Sequence, residues 1–245
     1  MTISSFLGAE LAPAGRLRAG INYGNPVLAS RDPASGELRG VAVDLARELG
    51  RRVGLPVELV AFDAAGKLFE AVKTGGWDLA FLAIDSERAQ EIDFTAAYVL
   101  IEGTYLVPPG SPFRTNEEID SAGVRIGVSA NSAYDLFLSR SIKHADLVRG
   151  SGPESAFELI LEGKVDVVAG VRQSLNANAV KLPGSRVFAG RFMAIEQAIG
   201  IPKGRDRATT YLREFVEDVK ASGFVAQAIE HAGVRGVAVA PAAVP

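Results

Sequence analysis

The residues whose types and spacing point most directly at chemistry are Asp85 and Arg88, in the run Asp85-Ser86-Glu87-Arg88. They follow an apolar stretch, Trp77 to Leu82, that reads as a buried strand. A guanidinium delivered at a strand end offers a planar fork, and two parallel bonds to a carboxylate fix orientation as well as charge. The competing reading pairs Arg88 with Glu91 on a solvated helix face. Asp85 has three readings: orienting Arg88, meeting a ligand cation, or simply capping a helix. Asn131 and Ser132 open a later predicted helix, where free N–H groups and the helix dipole favour an anion, or where the two residues only cap. Arg172 follows the strand Val165 to Ala169 and lies opposite Arg88 by topology, although an arginine early in a helix is usually solvent-facing. Tyr23 and Phe62 each end a strand and can wall a cleft and stack on a ligand, or serve as plain core. Asn25 stands beside Tyr23 in the turn Asn22-Tyr23-Gly24-Asn25.

Signals for covalent or metal chemistry are thin. His144 and His231 fall in a predicted loop and a terminal helix, and neither has metal-ligand spacing to another histidine or carboxylate. Gly127-Val128-Ser129-Ala130-Asn131 departs from the nucleophile-elbow pattern because asparagine replaces its last glycine. There is no phosphate-cradling glycine loop and no cysteine. The expectation is binding rather than catalysis, with neither cofactor nor metal.

These groups need strands to carry them, and the chain supplies two similar sets. Leu17–Ile21 is a strand ending in a turn. Asp32-Pro33-Ala34-Ser35-Gly36 is a hairpin tip. Val41, Leu45, Leu49 and Val53 recur at spacing four, an amphipathic helix closed by Gly54. Val57–Phe62 is a strand, and a helix marked by Leu68, Phe69 and Val72 ends at Gly75-Gly76. Strand–helix–strand–helix–strand implies a parallel sheet with right-handed crossovers. After Pro112 the order recurs: strand Val124–Val128, helix through Leu138, a short strand at Leu147-Val148, a helix from Pro153 to Gly163, and strand Val165–Ala169. Phe69-Glu70, Gly75 and Asp78 match Phe157-Glu158, Gly163 and Asp166 at a constant offset of 88, and Arg18 and Gly20 match Arg125 and Gly127 at 107. Coincidence at helix–glycine–strand junctions is the alternative to two lobes of similar build. Tyr98–Val107 leads out of lobe one, and Gln197–Ile201 leads back to two helical stretches that pack there. Gly233–Pro245 reads as a frayed tail.

Composition sets the outer bounds. The 245 residues are 48% hydrophobic and 22% charged with net charge −3, which fits a soluble globular protein and offers no basic stripe for nucleic acid. No apolar stretch reaches the roughly 18–20 residues needed to span a bilayer. The opening MTISSFLGAELAPAGRLRAG has no lysine or arginine ahead of an apolar core, so it is not a secretory signal as written.

LRAGINYGNP, VAVDLARELGRRVGLPVELVAFD, WDLAF and SERAQEIDFTAAY together resemble the family 3 extracellular solute-binding proteins, the amino-acid-type periplasmic receptors of ABC importers. The resemblance spans about Leu17 to Phe224. It implies an α/β, two-lobed type II periplasmic-binding fold, each lobe a mainly parallel sheet flanked by helices and joined by two hinge strands. Lobe one is expected over 1–107 and 194–245, and lobe two over 108–193. By the same resemblance Arg88 grips a ligand carboxylate, Asn131 and Ser132 hold it from lobe two, and Tyr23 is the aromatic after the first strand. The departures bear on the ligand. The loop before Arg88 is about two residues shorter than usual, Leu82 and Ala83 lack the hydroxyl donors that meet an amino group, and the amine-binding aspartate of lobe two falls near Gly170-Val171. A buried ammonium would be poorly paired there, which is costly.

The expectation is therefore a monomeric solute-binding protein that closes two lobes on an organic acid or atypical amino acid and hands it to an ABC permease. The resemblance implies a periplasmic location, while the missing signal leaves the cytoplasm open. Two alternatives stand beside it: a cyclohexadienyl-dehydratase-like enzyme using Asp85 and Glu196 as acid or base, and a cytosolic sensor or orphan binding domain.

Overall fold

The structure, a computed structural model, describes residues 5–243, with side chains from residue 7. In chain order the elements are α1 (Ser5–Leu11), β1 (Leu17–Asn22), β2 (Ser30–Arg31), β3 (Leu38–Arg39), α2 (Val41–Val53), β4 (Val57–Phe62), α3 (Ala65–Glu70), β5 (Leu79–Ala83), β6 (Ile92–Phe94), β7 (Val99–Val107), β8 (Arg125–Ser129), α4 (Ala133–Ser141), β9 (Asp146–Gly150), α5 (Pro153–Leu161), β10 (Val167–Val171), α6 (Arg172–Lys181), β11 (Arg186–Val187), β12 (Met193–Pro202), α7 (Asp206–Ala221), α8 (Phe224–His231) and β13 (Ala238–Val239). The described residues form two compact units. The first takes the chain up to Asp63, Lys67–Leu100 and everything from Glu196; the second takes Ala64–Gly66 and Ile101–Ile195. The strands β7 and β12 each run from one unit into the other.

In the first unit β1 is parallel to both β4 and β5, as the strand–helix–strand pattern predicts. The returning β12 departs from that pattern by lying antiparallel to β5, with Ile199 opposite Phe81, and β6 is antiparallel to β12 in turn. The second unit repeats the scheme: β8 is parallel to β9 and β10, while β10 meets β7 antiparallel. The added antiparallel partners follow from chain direction, because a strand that leaves a unit and one that returns must run oppositely.

The internal match between the halves is structural. In the first unit the backbone N–H and guanidinium of Arg18 bond both carboxylate oxygens of Asp78, and Asp78 N–H returns a bond to Arg18 C=O at 2.8 Å. In the second unit Arg125 and Asp166 make the same set, with a return bond of 2.9 Å. Gly75 and Gly163 both take left-handed backbone, φ 63° and 66°, to turn the chain from helix to strand. Coincidence does not reproduce bonding geometry, so the shared positions reflect one motif built twice.

Helix α2 forms where expected because Val41, Leu45, Leu49 and Val53 share one buried stripe, and Gly54 ends it in left-handed backbone at φ 69°. On its outer side Glu48 accepts bonds from Arg51 and Arg52, Arg52 also pairs with Asp218 of α7, and the guanidinium of Arg52 lies over the Phe215 ring. The bonds from Arg51 and Arg52 pull the Glu48 carboxyl down to about 2. A depressed carboxylate adds stability that is complete above its unfolded pKa and is lost as pH falls towards the folded one. Glu48→Gln is thus expected to lower stability at pH 7 and to flatten its decline between about pH 4.5 and 2, measured by urea unfolding across that range. Parallel pH curves for the two proteins would contradict this.

The C-terminal segment corrects the expectation of a frayed tail. Ala238 and Val239 form β13, antiparallel to Leu100 and Val99 of β7, and Ala240 N–H bonds Tyr98 C=O at 3.0 Å. The buried ammonium of Lys220 donates to Pro241 C=O and Ala97 C=O, and Ala243 N–H donates to Glu217. Composition alone hides this, because what orders the segment is an open strand edge far away in sequence. A chain ending after Gly236 is expected to lose about 1–3 kcal/mol of stability, the net value of a few hydrogen bonds, and to aggregate more readily through the bared edge. Chemical denaturation checks this; an unchanged midpoint would show the strap to be dispensable.

Candidate functional site

In the first unit, the candidate residues gather beyond the carboxyl ends of β1, β4 and β5. Tyr23 follows β1, and its N–H bonds the carbonyl of Phe62, the last residue of β4, at 2.9 Å. Gly24 makes that approach feasible. A Cβ there would fall 1.9 Å from the Asp63 carbonyl oxygen, so no other residue fits without moving the two strand ends apart. Asn25 is buried and spends its side chain on the turn, accepting from Val27 N–H at 3.1 Å. Phe62 packs against the core cluster of Leu68, Phe69, Trp77, Ala80, Leu82 and Ile92.

Arg88 lies in a 3₁₀ turn (Arg88–Gln90) after β5 and is fully buried, which rules out the reading of a solvated helix face. Its Nη1 donates to Ala83 C=O at 3.0 Å, and its guanidinium sits 5.9 Å from the centre of the Phe69 ring. Burial lowers its pKa to about 10, opposed by the charges of Asp85 and Glu87, so it stays cationic at neutral pH. Asp85 is buried and ties the turn by accepting Glu87 N–H at 2.9 Å, and its charge acts on Arg88. The segment leading into the turn, Leu82 and Ala83, is buried and offers no side-chain donor.

In the second unit the candidates sit at the ends of the neighbouring parallel strands β8 and β10. Ser132 is the N-cap of α4, its hydroxyl accepting Asp135 N–H at 3.1 Å. Asn131 is exposed and holds left-handed backbone at φ 57°, the one non-glycine residue to do so among those described. Its N–H bonds the carboxylate of Asp135 at 2.8 Å. Asp135 is buried and bridged to Arg149, so the start of α4 already holds an internal anion. Ser132-Ala133-Tyr134-Asp135 has the serine-then-acid spacing of a capping signature, which is the signal by which Asp135 could have been found. Arg172 departs from the solvent-facing expectation. Its Nε bonds Glu102 of β7 at 2.6 Å, and its remaining nitrogens donate to the carbonyls of Phe188, Ala189 and Gly190. The end of β10, Gly170-Val171, is buried and carries no acid.

Among the described residues no three His, Cys, Asp or Glu side chains are grouped to hold a metal ion. His144 and His231 are both exposed. No helix among the described residues is long and apolar enough to cross a membrane.

The model of the bacterial extracellular solute-binding proteins, family 3, matches residues 17–232. The chain belongs to that family. Solved structures of similar fold agree. A mutant of ArgBP from T. maritima is 23% identical with TM-score 0.78, covering 92% of this chain and 98% of its own. The solute receptor for L-cysteine of Neisseria gonorrhoeae is 22% identical with TM-score 0.79, covering 94% and 93%. An ancestral amino acid-binding protein described as a precursor of cyclohexadienyl dehydratase is 20% identical with TM-score 0.76, covering 93% and 99%. No curated protein sequence matches the chain. The two-lobed type II architecture and the α/β class read from the sequence are those of this family.

Proposed function

We propose that this family member is the solute-binding component of an ABC importer and that it captures a small carboxylate-bearing metabolite, with Arg88 as the anchor. The observation that carries this reading is a guanidinium fully withdrawn from solvent at the end of β5. A planar guanidinium at a strand end offers the fork that a ligand carboxylate matches with two parallel bonds. The absence of an acid at Gly170-Val171 and of donors at Leu82-Ala83 supports an organic acid or atypical amino acid over a standard zwitterion. An ammonium held there would be poorly paired, with Asp85 the one acid that could meet it. Tyr23, Asn25, Phe62 and Asp85 complete the proposed site in the first unit, and Asn131, Ser132 and Arg172 are the candidates that the second unit offers by resemblance.

The test is a thermal-shift screen of organic acids against amino acids, since only ligands that bind the folded state raise its melting point. Stabilisation by carboxylic acids without an amine, at concentrations where standard amino acids do nothing, is the expected result. Stabilisation by a standard amino acid alone would overturn the acidic-ligand reading and leave the receptor role intact. The likeness to a dehydratase precursor supplies a second arm. Prephenate and arogenate are incubated with the protein, and turnover of either would favour the enzyme.

A further inference from the structure

We infer that Gln197 is a second ligand-reading residue of the first unit and that it accepts a bond from a hydroxyl, so that the ligand is a hydroxy acid rather than a plain carboxylic acid. This rests on the proposed function and deepens it. Gln197 of β12 stands opposite Ala83, the last residue of β5. Ala83 is also the residue whose C=O receives Arg88 Nη1 at 3.0 Å. All three residues belong to the first unit. Gln197 and Ala83 face each other as a narrow pair. The adjacent pair is the bonded one, with Ile84 N–H on Glu196 C=O at 2.9 Å, and Gln197 C=O turns instead to Tyr98 N–H at 2.8 Å. Opposed side chains in such a pair stand about 4.5–5.5 Å apart at Cβ. Gln197 and the Arg88 guanidinium therefore flank one residue at the carboxyl end of β5.

The amide is what singles Gln197 out. The residue is 3% exposed, and its Oε1 is buried with no hydrogen-bond partner. Buried polar atoms in folded proteins are almost always paired, so an exception asks for a cause. The asparagines and the acid at this end of the sheet all have acceptor roles in their own turns. Asn22 Oδ1 accepts Gly24 N–H at 3.1 Å, Asn25 Oδ1 accepts Val27 N–H at 3.1 Å, and Asp85 Oδ1 accepts Glu87 N–H at 2.9 Å. The hydroxyl of Tyr98 does not serve the amide, since it too is buried without a partner. An open amide oxygen one residue away from the anchor of the arginine is an acceptor for a donor that the ligand brings.

The chemistry of the amide selects that donor. Gln197 is neutral, so it satisfies a hydroxyl completely but leaves the charge of an ammonium uncompensated in a buried place. A methylene at the same point would keep Oε1 buried and unpaired. A site built to bond a hydroxyl therefore rejects the analogue that lacks it.

The experiment compares 2-hydroxybutyrate and 3-hydroxybutyrate with butyrate and 2-aminobutyrate, by calorimetry on wild type, Gln197→Met and Arg88→Ala, alongside melting curves of the unliganded proteins. Methionine keeps much of the length of glutamine and removes the amide. Wild type is expected to bind one of the hydroxy acids about tenfold or more tighter than butyrate, as for a buried acceptor that butyrate leaves unpaired. In Gln197→Met that ratio should fall to near one. The unliganded variant should melt at or above the wild-type temperature, because an oxygen with no partner adds nothing to the stability of the free protein. Arg88→Ala should lose both kinds of acid. A wild type that binds butyrate as tightly as the hydroxy acids, a Gln197→Met that keeps the ratio, or one that melts well below wild type overturns this inference alone. A wild type that binds none of the acids, or that prefers 2-aminobutyrate, overturns it together with the acidic-ligand reading.

Discussion

Replacing Arg88 with alanine is expected to cost about 2–5 kcal/mol of ligand binding, the range for removing one partner of a buried, hydrogen-bonded charge pair. At the upper end this is more than a thousandfold in Kd. The reason is geometric as well as electrostatic. Arg88 is fully buried, its Nη1 is oriented by Ala83 C=O, and its face is set against Phe69, so a ligand carboxylate would meet a fork that is already aimed. Arg88→Lys keeps a positive charge but loses the fork and the stacked face, and is expected to recover only part of the loss. Calorimetry with an acid that stabilises wild type is the measurement. An unchanged Kd for Arg88→Ala would remove Arg88 from the site, whatever happened to the melting point.

The second large effect concerns the scaffold beneath that turn. Trp77 is fully buried, donates from Nε1 to Leu68 C=O at 2.8 Å, and packs with Leu68, Phe69, Ala80, Leu82 and Ile92. Gly20 of β1 lies under it, where an added Cβ would come within 2.5 Å of Leu68 Cδ1 and 3.3 Å of Trp77 Cδ1. So close a fit cannot collapse around a missing indole, and Trp77→Ala is expected to destabilise the first unit by about 3–5 kcal/mol. Trp77→Phe preserves much of the volume but leaves the Leu68 carbonyl without its donor, a smaller loss of about 1–3 kcal/mol. Because Trp77 is the chain's single tryptophan, unfolding is followed by circular dichroism rather than fluorescence. If the two units unfold separately, only the transition of the first should move. A Trp77→Ala protein with a wild-type urea midpoint would show that this core is looser than it looks. Phe69 links the two predictions, since it belongs to the Trp77 cluster and also carries the guanidinium of Arg88. Part of the binding loss expected from Arg88 should therefore reappear when the core around Trp77 is loosened.

The sequence alone was enough for the main strand–helix alternation of both halves and for the family. The apolar stripe of Val41, Leu45, Leu49 and Val53, the glycines that close helices, and the alternation of strand and helix are properties of neighbouring residues, so period and turn chemistry suffice to read them. The doubled Arg–Asp motif was visible as matched spacing, although only coordinates turned it into a bonding pattern. Tertiary structure decided the rest, and in each case a partner distant in sequence was the cause. Local spacing offered Glu91 to Arg88, whereas the fold buried the arginine against Phe69. Arg172 met Glu102 across 70 positions, and the tail found the edge of β7. Periodicity reports which face of an element is buried, but it carries no information on which distant group that face or side chain will meet, and here those meetings set the charge of the proposed site.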